Sequence, residues 1–456
     1  MTIATTQRVL DHYRCPGDLA DVDLSGTLGR ALYAALPDVA TSGGADSRPF
    51  DADAVIEHLR HERYRENTEG SGGPGNSMAR ALYYSLRPFL PVQIRRHIQR
   101  AYLTGWRDIS FPRWPVDRTV DECLERTLAL SMRAQGVDRV PFIWFWPDEA
   151  TSCAIVTHDV EHLSGRNFCS SLMDLDDAAG VKSSFQIVPE GRYPVPDSLL
   201  DEIRDRGFEI NVHDLNHSGE LFTSREAFSS AVARINDYGR RFQAAGFRSG
   251  ALYRNQAWFE SLEFSYDMSV PSVAHLDPQR GGCCTVMPYF VDRILELPVT
   301  TIQDYSLFHI LNDYSIDIWK RQLDAITRQH GLASFIVHPD YVIEKRARAT
   351  YRALLDHLAM MRDERQVWMA LPRDVDRWWR QRSQMSLVHD RAGWSIRGAG
   401  SERARLAFAT LAGDTVVFSL DTGKEPKRTR EKRERYVPQN HDPDARNRRG
   451  ILLHAR

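Results

Sequence analysis

Residues 154–163 read AIVTHDVEHL. An apolar run stops abruptly at His158, Asp159, Glu161 and His162, four titratable side chains within five positions. A short continuous apolar run suits a strand buried on both faces. When such a strand ends in charge, it either surfaces into solvent or delivers its carboxylates to a reaction centre. The surrounding sequence decides which.

From about residue 150 to 380, strand-like runs recur at CAIVTHD, SSFQIV, FEINVHD, FRSGALY, ILELPVTT, ASFIVHPD and QVWMALP. Helical patterns separate most of them, among them DSLLDEIRDRG, SREAFSSAVARINDYGRRFQAAG, SIDIWKRQLDAITRQHG and KRARATYRALLDHLAMMRDE. Strands alternating with helices imply βαβ units and a parallel sheet. About seven such strands suit a closed or nearly closed (β/α) barrel. A doubly wound open sheet is the alternative, but no Gly-rich dinucleotide or P-loop signature follows any strand.

The flanks read differently. At 456 residues the chain exceeds what one core usually fills, so one large domain with appendages is expected. Residues 1–149 are expected to form a mostly helical extension with Gly/Ser-rich linkers. It includes the interleaved apolar and basic arm MARALYYSLRPFLPVQIRRHIQRAYL and an amphipathic helix at 120–136. Residues 150–380 form the barrel, 381–421 a small antiparallel β appendage, and 422–456 a basic, disordered tail.

Composition narrows the function classes. Hydrophobic residues at 42% and charged residues at 26% are ordinary for a soluble globular protein. The formal charge of −2 gives no overall pull toward nucleic acid, although residues 422–456 carry eleven Lys/Arg against five Asp/Glu. No apolar stretch reaches 18 residues, so no transmembrane span is expected, and the basic arm is compatible with peripheral membrane contact. No secretory signal is visible, and six cysteines without a C-x-x-C pair suit a reducing compartment, so a cytoplasmic protein is expected.

In a parallel barrel the reactive residues sit at the C-terminal ends of strands. Those ends supply Asp159 and Glu161, then His213 with His217 in NVHDLNH, Arg248 in GFRSGALYRN and His338 in SFIVHPDY. Residues two apart on a strand share a face, so Asp159 and Glu161 can converge on one centre. Two histidines four apart plus one carboxylate make a catalytic metal set that leaves a coordination position open. His158 and His162 are read as structural or solvated, with either as the alternative ligand in place of Glu161. Trp258, Trp319 and Trp368 are read as stacking candidates, with core packing the expected role of at least two of them.

In order and approximate position, THDVE, HDLNH, FRSG and FIVHPD resemble the motifs of the polysaccharide deacetylase family, the NodB-homology group of carbohydrate esterase family 4. The resemblance covers about residues 150–372 and marks the chain as a divergent member. It implies a distorted (β/α) barrel of the NodB type. It also implies Asp159 as general base, Glu161, His213 and His217 as metal ligands, Arg248 as the residue orienting the base, and His338 as general acid. Two departures are visible: Val160 separates two acidic residues that are usually adjacent, and Gly250 and Ala251 follow Ser249 where the family has Pro and an aromatic. Asp267 and Asp304 are the candidates for the fourth motif.

The expected function is a metal-dependent carbohydrate N-deacetylase acting on an N-acetylated sugar or saccharide intermediate, in exopolysaccharide or glycoconjugate synthesis. One divalent ion is implied: zinc first, with cobalt, nickel, iron or manganese also suited to these ligands. The alternatives are hydrolysis of another non-peptide amide on the same fold, and a non-catalytic carbohydrate-binding protein.

Overall fold

The nine residues of the central strand are all buried, which is why it reads as a continuous apolar run rather than an alternating one. The computed structural model describes residues 7–16, 51–65, 101, 103–364, 366–391 and 393–421. Its strands are β1 (Arg139–Ile143), β2 (Ser152–Val160), β3 (Ser184–Ile187), β4 (Glu209–His213), β5 (Gly246–Arg248), β6 (Tyr266–Asp267) and β7 (Tyr289–Val291). Then come β8 (Ile294–Glu296), β9 (Leu332–Ile336), β10 (Val367–Met369), β11 (Ser386–Asp390), β12 (Gly393–Arg397), β13 (Leu406–Ala412) and β14 (Thr415–Leu420).

Seven strands run parallel in the order β9, β2, β3, β4, β5, β6, β8, with β10 parallel beside the start of β2 and β7 antiparallel outside β8. Side chains bring the two ends of this curl together. The Thr300 hydroxyl, just past β8, donates to Leu332 O at 2.7 Å, and the Thr301 hydroxyl donates to Ser334 O at 2.7 Å. The result is a distorted (β/α) barrel whose seam is held by threonine hydroxyls rather than a full ladder.

Helices at Asp197–Asp205, Arg225–Phe242, Asp317–Thr327 and Lys345–Asp363 lie where the 3.6-residue periodicity puts them, each burying its apolar stripe. A Cβ at Gly246 would lie 2.1 Å from the Tyr266 ring, so β5 and β6 approach only because that position has no side chain.

The chain ahead of the barrel and the chain behind it meet in a second sheet. β1 pairs antiparallel with β13, and β13 with β14, while β11 and β12 form a separate hairpin. Phe142, Trp144, Phe145, Trp378 and Ala407 share one apolar core there. Fully buried Arg382 ties the assembly together, donating to Trp144 O, Ile143 O and His12 O. His12 lies in the last turn of the helix Gln7–Tyr13, whose free carbonyls invite such a donor.

Most of the linker-like stretches, most of the apolar and basic arm, and the tail from Thr422 lie outside the described residues. No helix among the described residues is long and apolar enough to cross a membrane.

Candidate active site

β2 carries Asp159 near its end, and the backbone continues to Glu161 with the side chain on the same face. β4 ends at His213, and the turn after it brings His217 back beside it through positive φ at Asp214 (58°) and at His217 itself (54°). The ring centroids of the two histidines lie 4.9 Å apart. One ligand atom from each of Glu161, His213 and His217 lies within 4.8 Å of the others. Of the six site residues read from the sequence, all six gather here.

The ring nitrogens have distinct roles. His213 Nδ1 donates to Arg248 O at 3.2 Å, which turns Nε2 toward the carboxylates, 3.7 Å from Glu161 Oε1 and 3.7 Å from Asp159 Oδ2. His217 Nε2 lies 2.8 Å from Glu161 Oε1, yet neither Nε2 makes a hydrogen bond of proper geometry. Two buried imidazole nitrogens crowding a carboxylate without bonding to it is a donor set suited to a divalent cation, so these residues fit the implied metal. His217 departs from the usual ligand support in one respect. Its Nδ1 faces Arg192 Nη2 at 3.4 Å rather than an acceptor, although that guanidinium bonds more closely to His217 O at 2.5 Å.

Gly250 forms the wall behind this pair. A Cβ there would meet Asp214 Oδ2 at 2.4 Å and the His217 ring at 3.2 Å. The next two residues, Ala251 and Leu252, take left-handed backbone at φ 53° and 54°, which turns the chain sharply after β5.

Arg248 is fully buried and spans three acceptors. Nε donates to Met268 O at 3.0 Å, while Nη1 reaches Thr157 Oγ1 at 2.7 Å and Asp159 Oδ1 at 2.6 Å. Burial alone would raise the Asp159 carboxyl, but Arg248, with His213 and His338, outweighs it and holds it below its ordinary value. Glu161 goes the same way: burial pushes it up, and His217 with the other two histidines pulls it well below its ordinary value.

On the other side, His338 stands at the end of β9. Asp304 grips it twice, accepting from the backbone N–H at 2.7 Å and from Nδ1 at 2.7 Å, which leaves Nε2 3.3 Å from Glu161 Oε1. Burial would lower this imidazole, but Asp304 and Glu161 outweigh it and raise it well above its ordinary value, which favours its acid form. Of the two fourth-motif candidates, Asp304 is the one in contact with His338. Asp267 lies instead behind Arg248 and accepts from Ser269 N at 2.8 Å and from Ser269 Oγ at 2.9 Å.

The order of the motifs resembles that of the polysaccharide deacetylases. No family model matches the chain, and no curated protein matches it. Solved structures do match. A Mycobacterium smegmatis protein assigned to the polysaccharide deacetylases aligns at 18% identity over 52% of this chain and 93% of its own, with a TM-score of 0.42. The allantoinase PuuE aligns at 13% identity over 51% and 92%, also at 0.42. A family 4 acetyl xylan esterase from Clostridium thermocellum, solved with a cobalt ion, aligns at 12% over 50% and 91%, at 0.32.

His158, Trp258, Trp319 and Trp368 make packing or hydrogen-bond contacts of their own. His158 points to the other side of β2, where its ring nitrogens lie 3.0 Å from Val337 O and 3.0 Å from Asp176 Oδ2. Trp319 is buried, with Nε1 donating to Ile302 O at 2.8 Å. Trp258 stacks on Phe222, and Trp368 lies against Trp146 with Arg403 over its ring. Sequence reasoning missed Thr157, which shares Arg248 with Asp159, and Tyr341, whose ring lies 4.7 Å from that of His338. A Tyr three residues past a strand-end His was the only signal for the second, and nothing in the sequence marked the first.

Proposed function

We propose that the protein is a metal-dependent hydrolase that removes an N-acetyl group from a sugar or saccharide intermediate in exopolysaccharide or glycoconjugate synthesis. One observation carries this reading: a His₂–carboxylate set lies between an ion-paired carboxylate and a carboxylate-backed imidazole. Acid, base and metal ligands on one centre match what amide hydrolysis requires.

A divalent ion held by Glu161, His213 and His217, zinc first, supplies Lewis acidity and eases deprotonation of water. The chain's own groups divide the proton work. Asp159, kept anionic by Arg248, takes a proton from the water that attacks the amide carbonyl. His338, kept protonated by Asp304, gives a proton to the amide nitrogen as the C–N bond breaks, because an amine leaves poorly as its anion. The products are acetate and the free amino sugar. Near-complete burial of Asp159, His213, Arg248 and His338 strengthens each of these interactions by excluding water.

Metal analysis combined with a screen of N-acetylated sugars tests the reading. Glu161→Ala is expected to lose metal and activity together. Asp159→Asn is expected to keep metal and lose turnover by about 10²–10⁴-fold, the usual size of general-base catalysis. Full metal occupancy in a Glu161→Ala/His213→Ala double variant would sink the assignment.

A further inference from the structure

Two of the three proposed metal ligands lie beyond the strands that deliver them. His213 closes β4, but Glu161 stands one residue past the end of β2 and His217 four residues past the end of β4. A ladder of hydrogen bonds fixes backbone only along the strand, so these two ligands need support from elsewhere. His217 needs it most. Its backbone is left-handed at φ 54°, a conformation that a non-glycine residue keeps only where its surroundings impose it.

One loop supplies that support. Residues 188–196, VPEGRYPVP, join β3 to the helix Asp197–Asp205, and Pro189, Pro194 and Pro196 fix φ along it. Tyr193 is buried, and its hydroxyl accepts from Val188 N at 3.1 Å and donates to Val160 O. The phenol therefore bridges the ends of β3 and β2. The carbonyl it holds belongs to the peptide that leads into Glu161.

Arg192, the residue before, turns to the other ligand. Its Nε donates to Asn216 O at 3.1 Å and its Nη2 to His217 O at 2.5 Å. Glu190 N adds a bond to Leu215 O at 3.1 Å, so this loop holds the consecutive carbonyls of residues 215, 216 and 217.

A charge and a clamp leave opposite signatures at Arg192. As a plain positive charge, 3.4 Å from His217 Nδ1, it would repel a divalent cation held by that ring, and its removal would tighten binding. As a clamp on the carbonyls it keeps the imidazole turned toward Glu161, and its removal would weaken binding. The geometry favours the clamp, because the bond to His217 O is the closer one and Nε takes a second carbonyl beside it.

We propose that Arg192 and Tyr193 are positioning residues that hold the metal ligands His217 and Glu161 in place, so that this loop sets the protein's affinity for its divalent ion. The inference rests on the metal centre of the proposed function. Zinc titration of the full-length, metal-stripped protein against a chromophoric chelator tests it without turnover. Arg192→Ala is expected to bind zinc at least about tenfold more weakly than wild type, the usual loss when a ligand's support is removed. Tyr193→Phe, which deletes only the hydroxyl, is expected to show a loss of the same order. Arg192→Lys keeps the charge but cannot reach both carbonyls as the planar fork does, so it is expected to fall between wild type and Arg192→Ala. Leu358→Ala, a core truncation on the helix Lys345–Asp363, destabilises the fold away from this loop and is expected to match wild type in zinc affinity.

Unchanged or tighter zinc binding by Arg192→Ala overturns the proposal, as does unchanged binding by Tyr193→Phe. An equal loss in Leu358→Ala also overturns it, since affinity would then follow stability alone. Absence of zinc binding by wild type overturns both the brace and the metal centre. Zinc binding that depends on Arg192 and Tyr193, in a protein with no deacetylase activity, would remove the proposed function and leave the brace. Deacetylation by a protein whose zinc affinity ignores both residues would do the reverse.

Discussion

Arg248 meets Asp159 through one nitrogen, not through a two-pronged fork: Nη1 also reaches Thr157 Oγ1, Nε reaches Met268 O, and Nη2 makes no hydrogen bond among the described residues. Lysine offers a single ammonium on a flexible stem and cannot satisfy acceptors in three directions. Arg248→Lys is therefore expected to lower turnover by about 10- to 100-fold, the size of a buried charged hydrogen bond, while metal content stays unchanged. Kinetics alongside metal analysis check this, and wild-type turnover would show that the guanidinium only packs. Asp304 gives a second residue-scale test. It raises His338, so the acid form persists above the ordinary histidine range and is lost only as pH rises through that elevated value. Asp304→Asn removes the raising charge, and the alkaline limb of the pH–rate profile is expected to move to lower pH. A limb that stays in place would mean that another group is the acid.

At the scale of elements, all seven strand-like runs between residues 150 and 380 are strands, because each joins a short β-rich apolar run to a turn signal. The elements that stayed hidden are short or depend on distant partners. β6 has two residues and exists because Gly246 lets Tyr266 lie against β5. β1 forms by pairing with β13, some 270 residues later, a partnership that local pattern cannot encode. The site was legible for the opposite reason, since its residues sit at strand ends where charge interrupts apolar runs. Asp304 was harder to place because it follows β8 in a loop and is defined only by its contact with His338.

Glu209, which opens β4, gives this scale its own test. Burial raises its carboxyl to about 7, against the Tyr266 hydroxyl and the Arg373 N–H that it accepts. A raised folded-state value means that the native protein holds this proton more tightly than the unfolded chain. Its stabilising contribution is therefore full below the unfolded value and is lost as pH climbs toward 7. Glu209→Gln removes that dependence. Compared by urea denaturation from pH 4.5 to 8, the variant is expected to gain on wild type by about 3 kcal/mol. A difference that is flat with pH would contradict a buried, protonated Glu209.

Across the whole molecule, residues 51–65 reach the loop that leaves the site, at Arg254 and Gln256, from far away in sequence. Glu62 and Arg254 form an ion pair with side chains only 5% and 1% exposed, and Arg254 Nε donates to Glu62 Oε2 at 2.7 Å. The same segment accepts from Gln256 Nε2 at Arg60 O, 2.7 Å, and sends the Tyr64 hydroxyl to Gly282 O, 2.7 Å. These bonds pin the chain that runs from Gly250, behind His217, to Gln256. The energetic consequence follows from burial. Breaking a buried pair strands a charge away from water and typically costs about 3–5 kcal/mol, whereas an exposed pair is worth about 0–1 kcal/mol. Glu62→Gln leaves the Arg254 guanidinium facing a neutral amide and is expected to destabilise the fold by an amount in the first range. Glu263→Gln, which breaks the exposed pair with Arg240 (side chains 55% and 60% exposed), is expected to fall in the second. Denaturant unfolding of both variants at neutral pH checks the contrast. Equal, small losses would mean that Arg254 reaches solvent in the native protein and that residues 51–65 do not hold the site loop.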